Sequence, residues 1–258
     1  RDSVRVADML MAGELALDGS VRGIRGTTSM VLLGHQSQAH SILVPASNAQ
    51  EASIVSEATV LAVHSLGEAV GWMNGVHELA SVNRELVPEE VVAEDFVEVF
   101  AQEDVKRALL IAAAGWHNMI MLGPPGTGKS MLARCLPGIL PPLNDQEFKE
   151  VIQIRSCIGW PDEKSLSRRP PFRSPHHSCT AAAVIGGGSH PRPGEISLAH
   201  HGILFLDELP EFPRSVLETL RQPLEEHAVT IARASGSIRY PARCLLIAAM
   251  NPTRDGRK

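Results

Sequence analysis

Gly123-Pro124-Pro125-Gly126-Thr127-Gly128-Lys129-Ser130 is the stretch on which the reading of this chain turns. It fits G-x-x-x-x-G-K-[ST], a pattern whose residues each have a physical task. The glycines let the backbone wrap inward, so that its N–H groups point at phosphate oxygens. A helix that starts near Lys129 adds its positive end. Met131-Leu132-Ala133-Arg134 opens that helix, and Asn118-Met119-Ile120-Met121-Leu122 reads as a buried strand running into the loop. The pattern predicts that residues 123–131 bind nucleotide. Lys129 would neutralise the β- and γ-phosphates, and the Ser130 hydroxyl would coordinate Mg²⁺. The bland alternative, a glycine turn between strand and helix, is disfavoured by this context.

Outward from the loop, Ile203-Leu204-Phe205-Leu206-Asp207-Glu208 is an apolar run ending in two carboxylates. A central strand would carry Asp207 to its C-terminal edge, where ligands collect in open α/β sheets. Asp207 is then expected to hold the Mg²⁺, and Glu208 to polarise the attacking water as general base. Alone this is weak, because strands commonly end in charged turns. Leu245-Leu246-Ile247-Ala248-Ala249-Met250-Asn251 is a further buried strand ending in a polar residue. Asn251 is placed to orient the water and sense the γ-phosphate; a plain Asn251-Pro252 turn is the alternative.

The rest of the ATPase half reads as strand alternating with helix. Val105, Leu109 and Ala112 share a helical face from Gln102 onward. Asn144 and Glu147 resemble a capping box, with Phe148, Val151, Ile152 and Arg155 continuing at helical spacing. Residues 158–198 are loop-rich. Strand, helix and strand in this order predict a parallel sheet covered on both faces. Residues 1–80 read as a smaller α/β domain. Glu14-Leu15-Ala16-Leu17, Asp18-Gly19, Val21 and Ile24 predict a hairpin with a two-residue loop. Ser41–Pro45 and Thr59–Val63 predict strands, and Leu66–Met73 a short helix. Residues 81–96, rich in Glu and Asp around Pro88, predict an acidic linker; an acidic docking segment is the alternative. The expected domains are therefore 1–80, the linker 81–96 and 97–258.

With 258 residues and 44% apolar content, the chain can bury proper cores. A net charge of −5 advertises no global basic field for nucleic acid. Cys135, Cys157, Cys179 and Cys244 lack a CxxC pair and predict reduced thiols. No apolar run approaches about 18 residues, so a soluble, cytoplasmic protein is expected. His176-His177 and His200-His201 tempt a metal reading. Neither pair has a Cys or carboxylate at ligand spacing, and adjacent side chains should diverge, so packing or loop roles are expected.

Together these elements look like an AAA+ ATPase, and their flanks narrow the resemblance. Arg107-Ala108-Leu109, Ala112-Ala113-Ala114-Gly115 and His117-Asn118 precede the loop. Phe172-Arg173-Ser174-Pro175-His176-His177, Gly186-Gly187-Gly188-Ser189 and Pro191 through Gly202 precede the acidic pair. Leu209-Pro210-Glu211-Phe212 and Leu220-Arg221-Gln222-Pro223-Leu224-Glu225 follow it. The chain closely resembles the magnesium-chelatase-like ComM/YifB family over nearly its whole length. Gly13 through Pro45 is similar to the Lon-protease-like domain that precedes the ATPase module there. Lon peptidases carry a catalytic Lys just after this hairpin; Thr28 takes that place, so no peptidase substrate is implied. The resemblance implies an ATP- and Mg²⁺-dependent, hexameric ring ATPase linked to DNA processing, including branch migration during natural transformation. It also suggests a hairpin from Val229–Arg233 and Ser237–Tyr240, whose Arg233 and Arg239 would meet DNA phosphates; ordinary surface arginines are the alternative.

The chain departs from that family pattern at its end. Thr253-Arg254-Asp255-Gly256-Arg257-Lys258 replaces the expected cysteine-containing segment, and no helical lid follows. The arginine finger and second sensor belong to those parts. A fragment or truncated product is the expectation, monomeric or poorly soluble and with negligible turnover. Two other readings stay open: a chelatase-type ATPase subunit, and a nucleotide-binding remnant without activity.

Overall fold

The computed structural model describes residues 9–55, 59–82, 94–159, 167–188, 191–233 and 236–252. It divides the chain into two compact units, Arg1–Pro88 with Ile152–Ser167, and Glu89–Val151 with Arg168–Lys258.

The first unit is built on a short parallel sheet. Strands β1 (Met9–Met11), β4 (Ser41–Pro45) and β5 (Thr59–Val63) pair in that order, with Met9 opposite Ser41 and Ser41 opposite Thr59. Between β1 and β4 come a hairpin, β2 (Glu14–Leu15) with β3 (Val21–Arg22), and a helix, α1 (Thr27–Gln36). Parallel neighbours need such crossovers, and α2 (Ala49–Val55) supplies the next one. Helix α3 (Leu66–Met73) follows β5 over the expected range, capped by Ser65, whose hydroxyl accepts from Glu68 N–H at 3.2 Å. Leu43, Leu61, Val63, Ala69 and Trp72 form a buried cluster. The hairpin has a three-residue loop, not the expected two. Leu15 faces Val21, Ala16 N–H bonds Ser20 O at 2.9 Å to close the loop 17–19, Gly19 N–H bonds Ala16 O at 3.0 Å, and Gly19 takes the left-handed φ of 83°. That combination is a turn closed by a left-handed residue, to which the Asp18-Gly19 pair is equally suited.

This unit buries a carboxylate. Glu51 is 2% exposed, and its oxygens accept from Thr28 N–H (3.2 Å), Thr28 Oγ1 (2.8 Å), Asn48 Nδ2 (3.2 Å) and the Ser156 hydroxyl. Four donors are what a buried acidic group needs. Thr28 is wholly buried, its hydroxyl engaged in this network.

In the second unit, α4 (Glu103–Gly115), β6 (Met119–Leu122) and α5 (Lys129–Ile139) follow one another, then the first part of α6 (Asp145–Ser156), up to Val151. The capping box that starts α6 is reciprocal: Glu147 N–H donates to Asn144 Oδ1 at 2.9 Å, and Asn144 N–H to Glu147 Oε2 at 3.0 Å. The loop-rich stretch holds only short elements, β7 (Phe172–Arg173), α7 (Ala181–Ile185), β8 (Gly186–Gly187), β9 (Arg192–Pro193) and α8 (Glu195–Leu198). Then come β10 (Ile203–Leu206), α9 (Arg214–Glu226), β11 (Ala228–Arg233), β12 (Gly236–Pro241) and β13 (Leu245–Met250).

Strands β6, β13, β10 and β7 form one parallel sheet in that order. All four residues of β10 are buried, and since alternate side chains face opposite sides, both faces are covered there. Leu109 and Ala113 of α4 and Leu132, Ala133 and Leu136 of α5 pack on Ile203, Phe205, Leu245, Ile247 and Ala249. Truncating one such buried leucine to alanine costs about 2–5 kcal/mol. Strand β6 departs from expectation. It is a sheet edge among the described residues, with Ile120 60% and Leu122 49% exposed, so its apolar run is not a fully buried strand.

Most of the acidic segment, residues 83–93, lies outside the described residues. Its last part is structured. Asp95 accepts Val97 N–H at 3.1 Å to start a short turn, and Glu94 lies 3.8 Å from Arg134. Among the described residues no helix is long and apolar enough to cross a membrane. The four cysteines are free.

Candidate active site

The register of the sheet assembles the site. Leu206 pairs with Ala248 and Met250 with Leu122, so β10, β13 and β6 end nearly level. Their next residues, Asp207, Asn251 and Gly123, therefore emerge along one edge. Gly123 N–H also bonds Met250 O at 3.3 Å, fixing the root of the loop beside Asn251.

The loop needs its glycines. Gly126 and Gly128 have φ of 80° and 79°, where a side chain is strained, and Gly128 leads directly into α5 without a side-chain cap. Thr127 Oγ1 ties back to Pro124 O at 2.9 Å, and the Gln102 amide donates to Thr127 O. Met131, in the first turn of α5, is 50% exposed.

The predicted residues converge. Lys129 Nζ donates to Gly123 O (2.8 Å), Pro124 O (3.0 Å) and Asn251 Oδ1 (3.0 Å). Ser130 Oγ donates to Asp207 Oδ2 at 2.6 Å, and Asp207 Oδ1 accepts Glu208 N–H at 2.9 Å. Two hard oxygens beside an ammonium and a run of loop N–H groups suit a polyphosphate with a small divalent cation. Glu208 takes a left-handed φ of 53°, sparsely populated for a non-glycine residue. Its Oε2 lies 3.2 Å from His177 Nδ1, a partner that nothing in the sequence signals.

The other histidine pair behaves differently from expectation. His200 and His201 do not diverge, because His201 has a left-handed φ of 56°, and their ring centroids are 3.9 Å apart. A carboxylate reaches them from α6: Glu150 Oε2 lies 3.0 Å from His200 Nε2 and 2.8 Å from His201 Nε2. The three ligand-type atoms lie within 4.8 Å of one another. Even so, the set is wired for protons rather than metal. His200 Nδ1 accepts Arg243 N–H at 3.0 Å, so the neutral ring carries its proton on Nε2 and has no lone pair there for a cation. Burial pushes the Glu150 carboxyl up, but hydrogen bonds from His201, Gln146 and His200 overcome it and hold it at about 2. Burial, against the pull of Glu150, holds His200 down at about 4. The carboxylate that sequence spacing did not offer this pair is supplied by Glu150.

The hairpin of β11 and β12 forms with Thr230 opposite Arg239 and Arg233 opposite Gly236. Arg239 is exposed; residues 234–235 and the Arg233 side chain lie outside what is described.

The parallel sheet and the glycine loop between β6 and α5 define an α/β domain of P-loop form. The family described as magnesium chelatase, subunit ChlI, matches residues 95–258, and the chain belongs to that family. Competence protein ComM of Haemophilus influenzae is 42% identical over 99% of this chain and 51% of its own length. The protein YifB of Salmonella typhimurium is 43% identical over 95% of this chain and 48% of its own. The chain spans about half the length of these curated relatives. A solved structure of magnesium chelatase subunits BchI and BchD aligns with a TM-score of 0.49 at 22% identity, covering 64% of this chain and 56% of that one.

Proposed function

We propose that this chain binds ATP with Mg²⁺ at the edge formed by residues 123–131, Asp207 and Asn251, and that the longer protein hydrolyses it to ADP and phosphate. The observation that carries this is the pair of contacts Lys129–Asn251 and Ser130–Asp207, which join loop and strand ends through the groups the chemistry needs. On binding, Lys129 would exchange its loop carbonyls for β- and γ-phosphate oxygens. Ser130 and Asp207 would hold Mg²⁺, which offsets phosphate charge. Glu208 would take the proton of the attacking water as its oxygen bonds to the γ-phosphorus and ADP leaves with the electron pair of the broken P–O bond. Asn251 would orient that water. Equilibrium titration of the chain with ATP and Mg²⁺, beside Lys129→Ala, tests the binding. Equal curves would remove the assignment.

As for the work done, we favour a cytoplasmic, DNA-directed motor, a homo-hexamer in the complete protein that acts on branched or single-stranded DNA in recombination and natural transformation. The similarity to a competence protein along 99% of the chain supports this reading, as does the exposed hairpin bearing Arg239. The membership of the chelatase family supports a second reading, an ATPase subunit serving metal insertion. Turnover by the full-length protein with and without branched DNA separates the two, since only the motor is stimulated. A remnant without turnover would hydrolyse nothing in either assay.

A further inference from the structure

Gln102 lies outside the sequence pattern that marks the phosphate loop, yet its side chain touches the middle of that loop. The amide Nε2 donates to Thr127 O, and a Cβ added at Gly128 would lie 3.9 Å from the same nitrogen. The residue sits on an unusual backbone. Ala101 and Gln102, just before α4, take left-handed φ of 58° and 65° in succession, a region sparsely populated by residues other than glycine. Such a pair persists only where its surroundings over-determine it. Here Val99 is buried in the sheet core on one side, and Val105 packs against that core on the other. Lys106 N–H also bonds Gln102 O at 3.0 Å. The amide therefore reaches the loop from a firm base.

What the amide grips is one end of a peptide plane. A trans peptide points its C=O and its N–H in opposite directions, so fixing Thr127 O turns the Gly128 N–H away from Gln102. Left to itself this plane turns over easily. Glycines flank Thr127 on both sides, and a residue without Cβ accepts either hand of φ, so little in the loop resists the rotation. Turned over, the plane would offer phosphate a carbonyl oxygen in place of a donor. We propose that Gln102 is a positioning residue for the phosphate loop, whose amide latches the Thr127–Gly128 peptide so that the Gly128 N–H faces the bound polyphosphate. The latch acts on the phosphates and leaves the base of the nucleotide untouched.

This rests on the reading of residues 123–131 as the phosphate site. The test titrates Gln102→Met, which keeps the length and loses the donor, and Gln102→Glu, which sets an acceptor against Thr127 O. The probes are ATP and inorganic tripolyphosphate, each with Mg²⁺. Gln102→Met should weaken both by the same factor, about 3- to 10-fold, as expected for loss of one net hydrogen bond. Gln102→Glu should weaken both at least as much. In the full-length protein the loss should appear in KM with kcat unchanged, because the N–H serves ground and transition states alike. A variant that merely folds less well would lower kcat instead. Unchanged affinity in Gln102→Met overturns the proposal. So does a loss confined to ATP, which would place Gln102 on the nucleoside, or a fall in kcat at constant KM. Tripolyphosphate binding that Lys129→Ala leaves unaltered removes the phosphate reading itself, an outcome that needs no change at Gln102.

Discussion

The two ends of the four-stranded sheet use the same chemical pair in opposite ways. At the ends where the strands finish, His177 meets Glu208 with side chains 33% and 52% exposed. At the ends where β10 and β13 start, His200 and His201 meet Glu150 with side chains 5%, 11% and 33% exposed. The buried clamp has both ring nitrogens of His200 engaged, Nε2 with Glu150 and Nδ1 with the Arg243 backbone, so moving it means unpairing buried groups. The exposed pair has water to replace whatever contact it loses. Imidazole on carboxylate is thus a fixed brace at one end and a water-exposed contact at the other, and burial makes the difference.

The sharpest way to break this comparison is at Glu208. Glu208→Gln in the full-length protein should lower turnover by about 10²- to 10⁴-fold, as loss of a general base does, while nucleotide still binds. A rate within a few-fold of wild type would place the base elsewhere. Lys129→Ala comes next, and should weaken ATP affinity by roughly 1.5–3 kcal/mol through loss of a charge-assisted contact. Fluorescent-nucleotide titration reads it directly.

The opposite end should respond in stability and not in chemistry. Glu150→Ala leaves three donors, His200 Nε2, His201 Nε2 and Gln146 Nε2, without their acceptor, and should lower unfolding free energy by about 1–3 kcal/mol in urea. Unchanged stability would reduce the clamp to incidental packing. Its pH dependence has a definite sign. His200 is held down from 6.5 to about 4, so the unfolded chain binds the extra proton first. Its contribution is complete above pH 6.5, declines as pH falls from 6.5 to 4, and amounts to about 3 kcal/mol. Glu150, depressed from 4.5 to about 2, continues the loss below pH 4.5. His200→Phe should flatten the upper part of that profile. The smallest effect belongs to the other unit. Thr28→Val removes one of four donors to Glu51 and should cost about 1 kcal/mol without altering nucleotide affinity.

Much of the molecule could be read from residue order because the signals were local. The capping box at Asn144, the α3 range Leu66–Met73 and the strand Ile203–Leu206 depend on contacts a few residues apart or on an unbroken apolar run, and all formed as expected. The glycine loop 123–130 is likewise continuous in sequence, and Gly126 and Gly128 adopt the positive φ the pattern requires. The convergence of Lys129 with Asn251 and of Ser130 with Asp207 follows from strand ends in a parallel sheet, a rule that needs order but not coordinates.

Tertiary structure alone decided the rest. Periodicity cannot tell an edge strand from a central one, and Ile120 and Leu122 turned out half exposed on β6. Glu150 comes to His200 and His201 from another helix, and His177 comes to Glu208 from a segment with no pattern of its own. These polar partners are specified by where the chain returns in space. A single histidine or glutamate carries no local sign of its distant partner, so the glycine loop and the strand ends beside it were written in the sequence and the contacts at either end of the sheet were not.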